Sequence, residues 1–357
     1  MLKKTSLILI LIALLCIVAC FPKPAKSQTD SSLDNAGVTF KNIFPRHCES
    51  LLFLDSAGTT MLISTRNQIY KSTDGGITWE MFVEFPYPIV IKQMMLADTA
   101  QSGILVNGVG DLGGLFFLED NGKKISKVLN SYGRGITICK PAESGDMFTV
   151  SQMPAAFYIS TDRGKTWKKR GVIDESVEAL TFESHICSLA SIQTGKVLRF
   201  IVSSSNPAGL YISDDTGKTW TAPAERLLTT SVEAPLVING LSHHELYAIL
   251  CTNTSVSPRK SLLASEDNGN TWSAMPSPGS LWSIAVEPEI SRVFISQFNT
   301  YDEDFPQSAV FVSDGVGKKW RPFGNNNSMN IWTISITSDH SKIGIVSEKG
   351  AFLAKLK

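Results

Sequence analysis

Short strand-like runs recur along the whole chain, punctuated by Gly, Asn and Asp. Ile136 to Lys140, Met147 to Gln152 and Asn330 to Ile336 set apolar side chains against small or polar ones at a period of two. Three such strands precede each copy of a polar turn written Ser-x-Asp-x-Gly-x-Thr-Trp. The first copy is Ser72-Thr73-Asp74-Gly75-Gly76-Ile77-Thr78-Trp79. The pattern returns intact at Ser160, Asp162, Gly164 and Trp167, at Ser213, Asp215, Gly217 and Trp220, and at Ser265, Asp267, Gly269 and Trp272. Two copies are degraded: the one at Leu118 keeps Asp120 and Gly122, and the one at Ser313 keeps Gly317 and Trp320 but has Gly315 where the Asp belongs. The copies recur roughly every fifty residues, the period of a propeller blade rather than of a helical solenoid.

Each residue of the motif has a mechanical use. The short Ser and Asp turn their oxygens back onto amides of a tight turn, and the Gly accepts the positive φ that closes it. The β-branched Thr starts the outgoing strand, and the Trp presents a large apolar face that a second sheet must cover. Six such turns imply six sheets packed side by side. Asn330 to Ile336, Lys342 to Ser347 and Ala351 to Leu356 add three strands with no turn motif after them. At the other end, Gly37 to Phe44 is one strand with no sheet of its own. Joining the two ends removes an open edge, so the expectation is an all-β chain folded as a single seven-bladed propeller. Each blade has four strands, and the N-terminal strand closes the ring on the C-terminal blade.

The repeated turn resembles the Asp box, or BNR repeat, of sialidases, xyloglucanases, sortilin-type receptors and the photosystem II assembly factor family. The resemblance implies that the boxes join third and fourth strands on the face away from the ligand, and that their Asp residues are structural. A whole-chain resemblance to the assembly factor family spans roughly residues 36 to 357. It implies an exported or lipid-anchored ring without catalytic apparatus, although the arginine-rich partner patch of that family is not evident here. Sialidases carry an arginine triad, a Tyr–Glu nucleophile pair and a Phe-or-Tyr-Arg-Ile-Pro motif. The nearest counterpart is Phe44-Pro45-Arg46-His47, which differs in order and composition.

The ends of the chain set the compartment. Lys3 and Lys4 precede an apolar run from Leu7 to Ala19, which reads as an export signal. Ile17-Val18-Ala19-Cys20 looks like a bacterial lipobox. The expected organisation is therefore a signal peptide over 1–19, a lipidated Cys20 with a flexible tether over 20–35, and the propeller over 36–357. An extracytoplasmic protein on the cell or outer membrane follows, held there by lipid on Cys20. Lys plus Arg equals Asp plus Glu at 33 each, which gives no basic footprint for nucleic acid. Cys48, Cys139, Cys187 and Cys251 match no zinc or redox spacing, and buried thiols or disulfides are both open to them.

On the face away from the boxes, the candidate ligand residues are Tyr87, Arg134, Arg226, Arg259, Tyr301, Asp302 and Asp304. The longest loop runs from Asn299 to Gln307, and long loops on rigid scaffolds carry function. Its acidic run lacks the Gly and spacing of a calcium loop, so no metal and no cofactor are expected. No pair of carboxylates is singled out for glycoside chemistry. The reading is a monomeric binding or assembly scaffold for a protein or glycan partner, not a catalyst. A glycan-directed hydrolase or a lectin is the alternative.

Overall fold

The computed structural model describes residues 38–98, 103–130, 136–139, 145–151, 156–172, 186–194, 196–205, 208–221, 238–240, 246–254, 257–278, 281–287, 291–297, 310–314, 317–324 and 329–356. The signal-like segment, Cys20 and the tether lie outside these residues. The described chain is all strand and turn. After β1 (Lys41–Phe44), the first blade is β2 (Ser50–Phe53), β3 (Met61–Ser64), β4 (Gln68–Ser72) and β5 (Glu80–Glu84). The second is β6 (Val90–Leu96), β7 (Ile104–Val109), β8 (Gly114–Glu119) and β9 (Lys124–Asn130). The third is β10 (Ile136–Cys139), β11 (Met147–Ser151), β12 (Ala156–Ser160) and β13 (Lys168–Val172). The next sheet holds β14 (Ile186–Thr194), β15 (Val197–Ser205) and β16 (Ala208–Ser213). Then come β17 (Ile238–Gly240), β18 (Leu246–Thr254), β19 (Ser257–Ser265) and β20 (Ser273–Met275), followed by β21 (Leu281–Glu287), β22 (Arg292–Gln297), β23 (Val310–Ser313) and β24 (Arg321–Pro322). Last are β25 (Ile331–Ile336), β26 (Lys342–Ser347) and β27 (Gly350–Lys355).

This corrects the expectation of seven four-stranded blades. Among the described residues six sheets are complete four-stranded blades, and the sheet β14–β15–β16 has only three strands. Among the described residues, which stop at Thr221 here, its outer position holds one bridge between Ile212 and Thr221. Prolines bound two other outer strands: Pro276 follows the three-residue β20, and Pro322 ends the two-residue β24.

The chain ends share a blade, because β1 pairs antiparallel with β27, with Lys41 opposite Leu353 and Asn42 opposite Phe352. A bulge between Asn42 and Phe44 bends β1. The Leu356 amide donates to the Ser341 carbonyl in the β25–β26 turn, at 2.9 Å. The chain therefore enters β1 and leaves β27 at the end of the blades that carries the boxes.

The boxes fix how neighbouring blades meet. In the first, the Ser72 hydroxyl accepts from the Gly76 amide at 2.9 Å and donates to Asp74 at 2.8 Å. Asp74 in turn accepts from the Thr78 amide at 2.9 Å and the Thr78 hydroxyl at 2.5 Å. The same four bonds recur at Ser160, Asp162, Gly164 and Thr166, at Ser213, Asp215, Gly217 and Thr219, and at Ser265, Asp267, Gly269 and Thr271. The box Gly has two reasons to be Gly. Gly217 sits at φ 78°, and a β-carbon there would lie 2.1 Å from the Phe157 ring of the preceding blade. The turns at Gly76, Gly122 and Gly164 seat as directly on their neighbours, whereas Gly317 leaves room for a β-carbon.

The Trp side chains finish that contact. The indoles of Trp167, Trp220 and Trp272 donate to the carbonyls of their own box glycines. Trp79 instead donates to Ile43 of the closing strand at 2.7 Å, and Trp320 to Pro276 of the preceding blade at 2.8 Å. Trp320 is 1% exposed among Leu262, Leu281, Ile295 and Phe311. The degraded boxes use other means. Asp314 pairs with Arg292 and Arg321, each at 2.9 Å, where the box Asp is lost. At the second box, Asp120 and Asn121 both have positive φ. There the Asp120 carbonyl accepts from the Lys123 amide, and among the described residues its carboxylate makes none of the box bonds.

Two predictions follow from the boxes. Burial pushes the Asp215 carboxyl up, but hydrogen bonds from the Thr219 amide and hydroxyl, Ser213 and Lys218 outweigh it and hold the group down at about 2. A lowered carboxyl stabilises the fold above its ordinary value of 3.8, and that contribution is lost as pH falls through about 2. Asp74 is lowered too, first by the Thr78 hydroxyl. Acid titration followed by circular dichroism should show cooperative loss of structure beginning below pH 4, and Asp215→Asn should be less stable at pH 7 with a flatter acid limb. Trp320→Ala should cost about 3–5 kcal/mol by urea unfolding, the range for emptying a filled aromatic site.

Candidate functional site

Opposite the box end, at the seam where β1 closes the ring, lies an open hollow of about 610 Å³. Arg46, His47, Thr65, Arg66, Asn67, Gln68 and Tyr70 line it. Two segments build it. One is the crossing from β1 to β2, which carries Arg46 and His47; the other is the β3–β4 turn with Arg66 and Asn67. Strand pairing brings them together, since β1 lies on the outer edge of one blade and β4 belongs to the next.

The turn is held firmly. Asn67 donates through Nδ2 to the Phe85 carbonyl at 3.0 Å and accepts the Phe85 amide on its own carbonyl at 2.8 Å. The Arg66 carbonyl accepts from the Ile91 amide at 2.9 Å. Arg46 lies over the rings of Phe44 and Tyr70, 5.2 and 5.1 Å from their centroids, and its Nη1 donates to the Tyr70 hydroxyl at 3.4 Å. Tyr70 passes the bond on to Gln68 Oε1 at 2.9 Å, and Gln68 Nε2 donates to Glu84 at 3.0 Å. His47 packs on Trp332 with ring centroids 5.6 Å apart and meets Glu49 through Nε2 at 2.9 Å. Glu49 also binds Lys92 at 2.6 Å, so its charge is taken up outside the hollow.

Beneath the hollow, Cys48 is a free, fully buried thiol that donates to the Arg46 carbonyl at 2.9 Å. Burial, reinforced by the neighbouring Glu49 charge, pushes it up to about 12 against the opposing pull of Arg46. The Trp332 indole donates to the Cys48 carbonyl at 2.9 Å, which makes this Trp part of the packing between blades.

Of the ligand-face residues singled out from the sequence, Tyr87 and the backbone of Arg259 fall within the described residues. Tyr87 is half-buried and stacks on Phe116, with ring centroids 6.0 Å apart and planes 24° apart. Arg259 stands in β19 opposite Thr252, with its side chain outside the described residues. Arg134, Arg226, Tyr301, Asp302 and Asp304 lie outside the described residues altogether, as do the side chains of Cys139, Cys187 and Cys251. The lining of the hollow was missed apart from Arg46 and His47, which were noted only as a poor match to a sialidase motif. Among the described residues no three His, Cys, Asp or Glu side chains gather as a metal would need.

The model of the BNR/Asp-box repeat matches residues 70–81 and 158–169. The chain is a β-propeller that carries BNR/Asp-box repeats. No curated protein sequence matches it. Among solved structures, YCF48 from Cyanidioschyzon merolae is 15% identical with a TM-score of 0.62, over 89% of this chain and 98% of that one. YCF48 bound to D1 peptide is 15% identical with a TM-score of 0.63, over 94% and 100%. The GH74 xyloglucanase from Xanthomonas campestris is 15% identical with a TM-score of 0.67, over 89% of this chain but only 53% of that enzyme. At such identities the likeness is one of fold.

The buried thiol gives a direct check on the seam. In native protein treated with iodoacetamide at pH 8, the peptide bearing Cys48 should stay unmodified by mass spectrometry, and it should react fully once the protein is unfolded in guanidinium.

Proposed function

We propose that this propeller is a non-catalytic, extracytoplasmic binding platform, tethered to a membrane by lipid on Cys20, that holds a protein partner on the face bearing the Arg46–Arg66 hollow. The observation that carries the reading is the hollow itself: rigidly backed, open to solvent, and lined by donors and an aromatic ring with no Asp or Glu among its walls. Glycoside hydrolysis requires two carboxyl groups flanking the bond to be cut, and this lining offers neither. A structure of the same fold with a bound peptide, YCF48 with D1 peptide, supports a protein as the class of partner.

The topology suits a tethered platform. The chain enters at the box end of β1, so a tether from Cys20 would hold the box face toward the membrane and turn the hollow away from it. The glycan-directed reading, hydrolase or lectin, draws on the likeness to the GH74 fold. This chain spans about half of that enzyme's length.

Two measurements test the proposal. In the native host, radiolabelled palmitate should enter the wild-type protein, and Cys20→Ser should lose the label and move to the soluble fraction. A photocrosslinking amino acid in place of His47 should capture one discrete protein, whereas the same group in place of Lys218 on the box face should not. Equal capture at both positions, or release of sugar from a glycan panel by the purified protein, would overturn the reading.

A further inference from the structure

The hydrogen-bonding capacity of the hollow is unevenly spent. Tyr70 gives its proton to Gln68 and takes one from Arg46. Gln68 has committed its amide nitrogen to Glu84, and Asn67 has committed its own to Phe85. The His47 Nε2 is engaged by Glu49. The polar groups of the wall are therefore largely satisfied, with the guanidiniums as the exception. Arg46 uses one nitrogen on Tyr70, its plane is fixed by two aromatic rings, and its remaining N–H groups stay uncommitted. Arg66 is exposed on a stapled turn, and among the described residues its side chain has neither a hydrogen bond nor an ion pair. Two cationic forks thus face one hollow whose lining contains no carboxylate.

Elsewhere among the described residues four arginines are paired, while Arg170 of β13 is exposed and has no ion pair there. Arg163 meets Asp98, Arg199 meets Asp214, Arg292 meets Glu287 and Asp314, and Arg321 meets Asp314. Arg46 and Arg66 differ from Arg170 in lining one hollow together, where the wall offers few other free donors. A group that complements them must be negative and accept several hydrogen bonds at once, which describes a carboxylate or a phosphate.

We infer that the hollow is an anion-binding site in which Arg46 and Arg66 jointly hold a carboxylate or phosphate group carried on an extended ligand, while Tyr70 presents a flat apolar face beside it. This rests on the proposed docking face, since it names the chemistry of whatever docks there. Arg46 is the oriented member, held by Phe44 and Tyr70, and Arg66 is the adjustable one. Because the site is open, binding should weaken steeply with salt.

The test uses full-length protein in detergent and two fluorescent probes, a tetraglutamate peptide for the carboxylate arm and a phosphoserine peptide of zero net charge apart from its phosphate for the other. Fluorescence anisotropy at 50 mM NaCl should show saturable binding of at least one probe, at least tenfold weaker at 500 mM NaCl. Whichever probe binds identifies the source of the anion. Arg66→Gln, which breaks no internal contact, should weaken binding about tenfold, and Arg46→Gln at least as much. Lys218→Gln on the box face should leave binding unchanged, and thermal melts confirm that each variant is folded. The inference is overturned if neither probe binds at 50 mM NaCl, or if Arg66→Gln and Arg46→Gln both bind like wild type. Discrete crosslinking through position 47 without anion binding would leave the docking face standing and remove only the anion. Anion binding without selective crosslinking would do the reverse.

Discussion

Everything in this molecule depends on how closely one turn can approach the blade before it. The box glycine must do two things that no other residue does together: adopt a positive φ and leave no side chain where the preceding blade's core presses in. Gly164 faces Leu105, Gly217 faces Phe157 and Gly122 faces Val83, each across a gap too small for a β-carbon. The Ser and Asp hydrogen bonds hold the turn in the shape that lets the glycine reach. The Trp seals the contact from outside. A propeller has few contacts between distant blades, so rigidity is the sum of these neighbour-to-neighbour seats.

The seam is where this rule is applied with borrowed parts. The last blade has no box, because its third and fourth strands are the two ends of the polypeptide. Box one compensates by clamping the closing strand: the Trp79 indole bonds to Ile43, and Gly76 packs on the Ile43 side chain. Gly350 adds a second point, at φ 129° with the Phe44 carbonyl where a β-carbon would go. The residues immediately after β1 then turn toward β2 outside the ladder, where the Cys48 thiol donates to the Arg46 carbonyl and the Arg46 guanidinium lies across Phe44 and Tyr70. The hollow is thus a by-product of closure, backed by the contacts that fasten β1.

Much of the fold could be read from the residues, because its determinants are local. A box is eight contiguous positions, and its bonds run between residues two to four apart. The sheet β14–β15–β16, with three strands among the described residues, was the exception, since its intact box pointed to a full blade. The site was far less legible. Arg46 and Arg66 are separated by β2 and β3 and become neighbours only through the twist of the first blade against the closing strand. Tyr87, chosen for its loop, is half-buried and stacks on Phe116. What could have pointed to the seam was the density of aromatic and basic residues around Phe44, Arg46 and His47, which motif comparison measured only against a sialidase pattern.

The same ring can therefore serve opposite chemistries, and the decision rests on which side chains a loop leaves unpaid. Where two carboxyls face across a cleft, the fold supports bond cleavage; where guanidiniums face an opening with no counter-charge, it supports capture. In this chain the acidic residues near the seam are already engaged, Glu49 by His47 and Lys92 and Glu84 by Gln68. They brace residues of the wall, and neither lines the hollow. For the anion site proposed above, the stiff backing of the hollow means that little order need be gained when a ligand arrives.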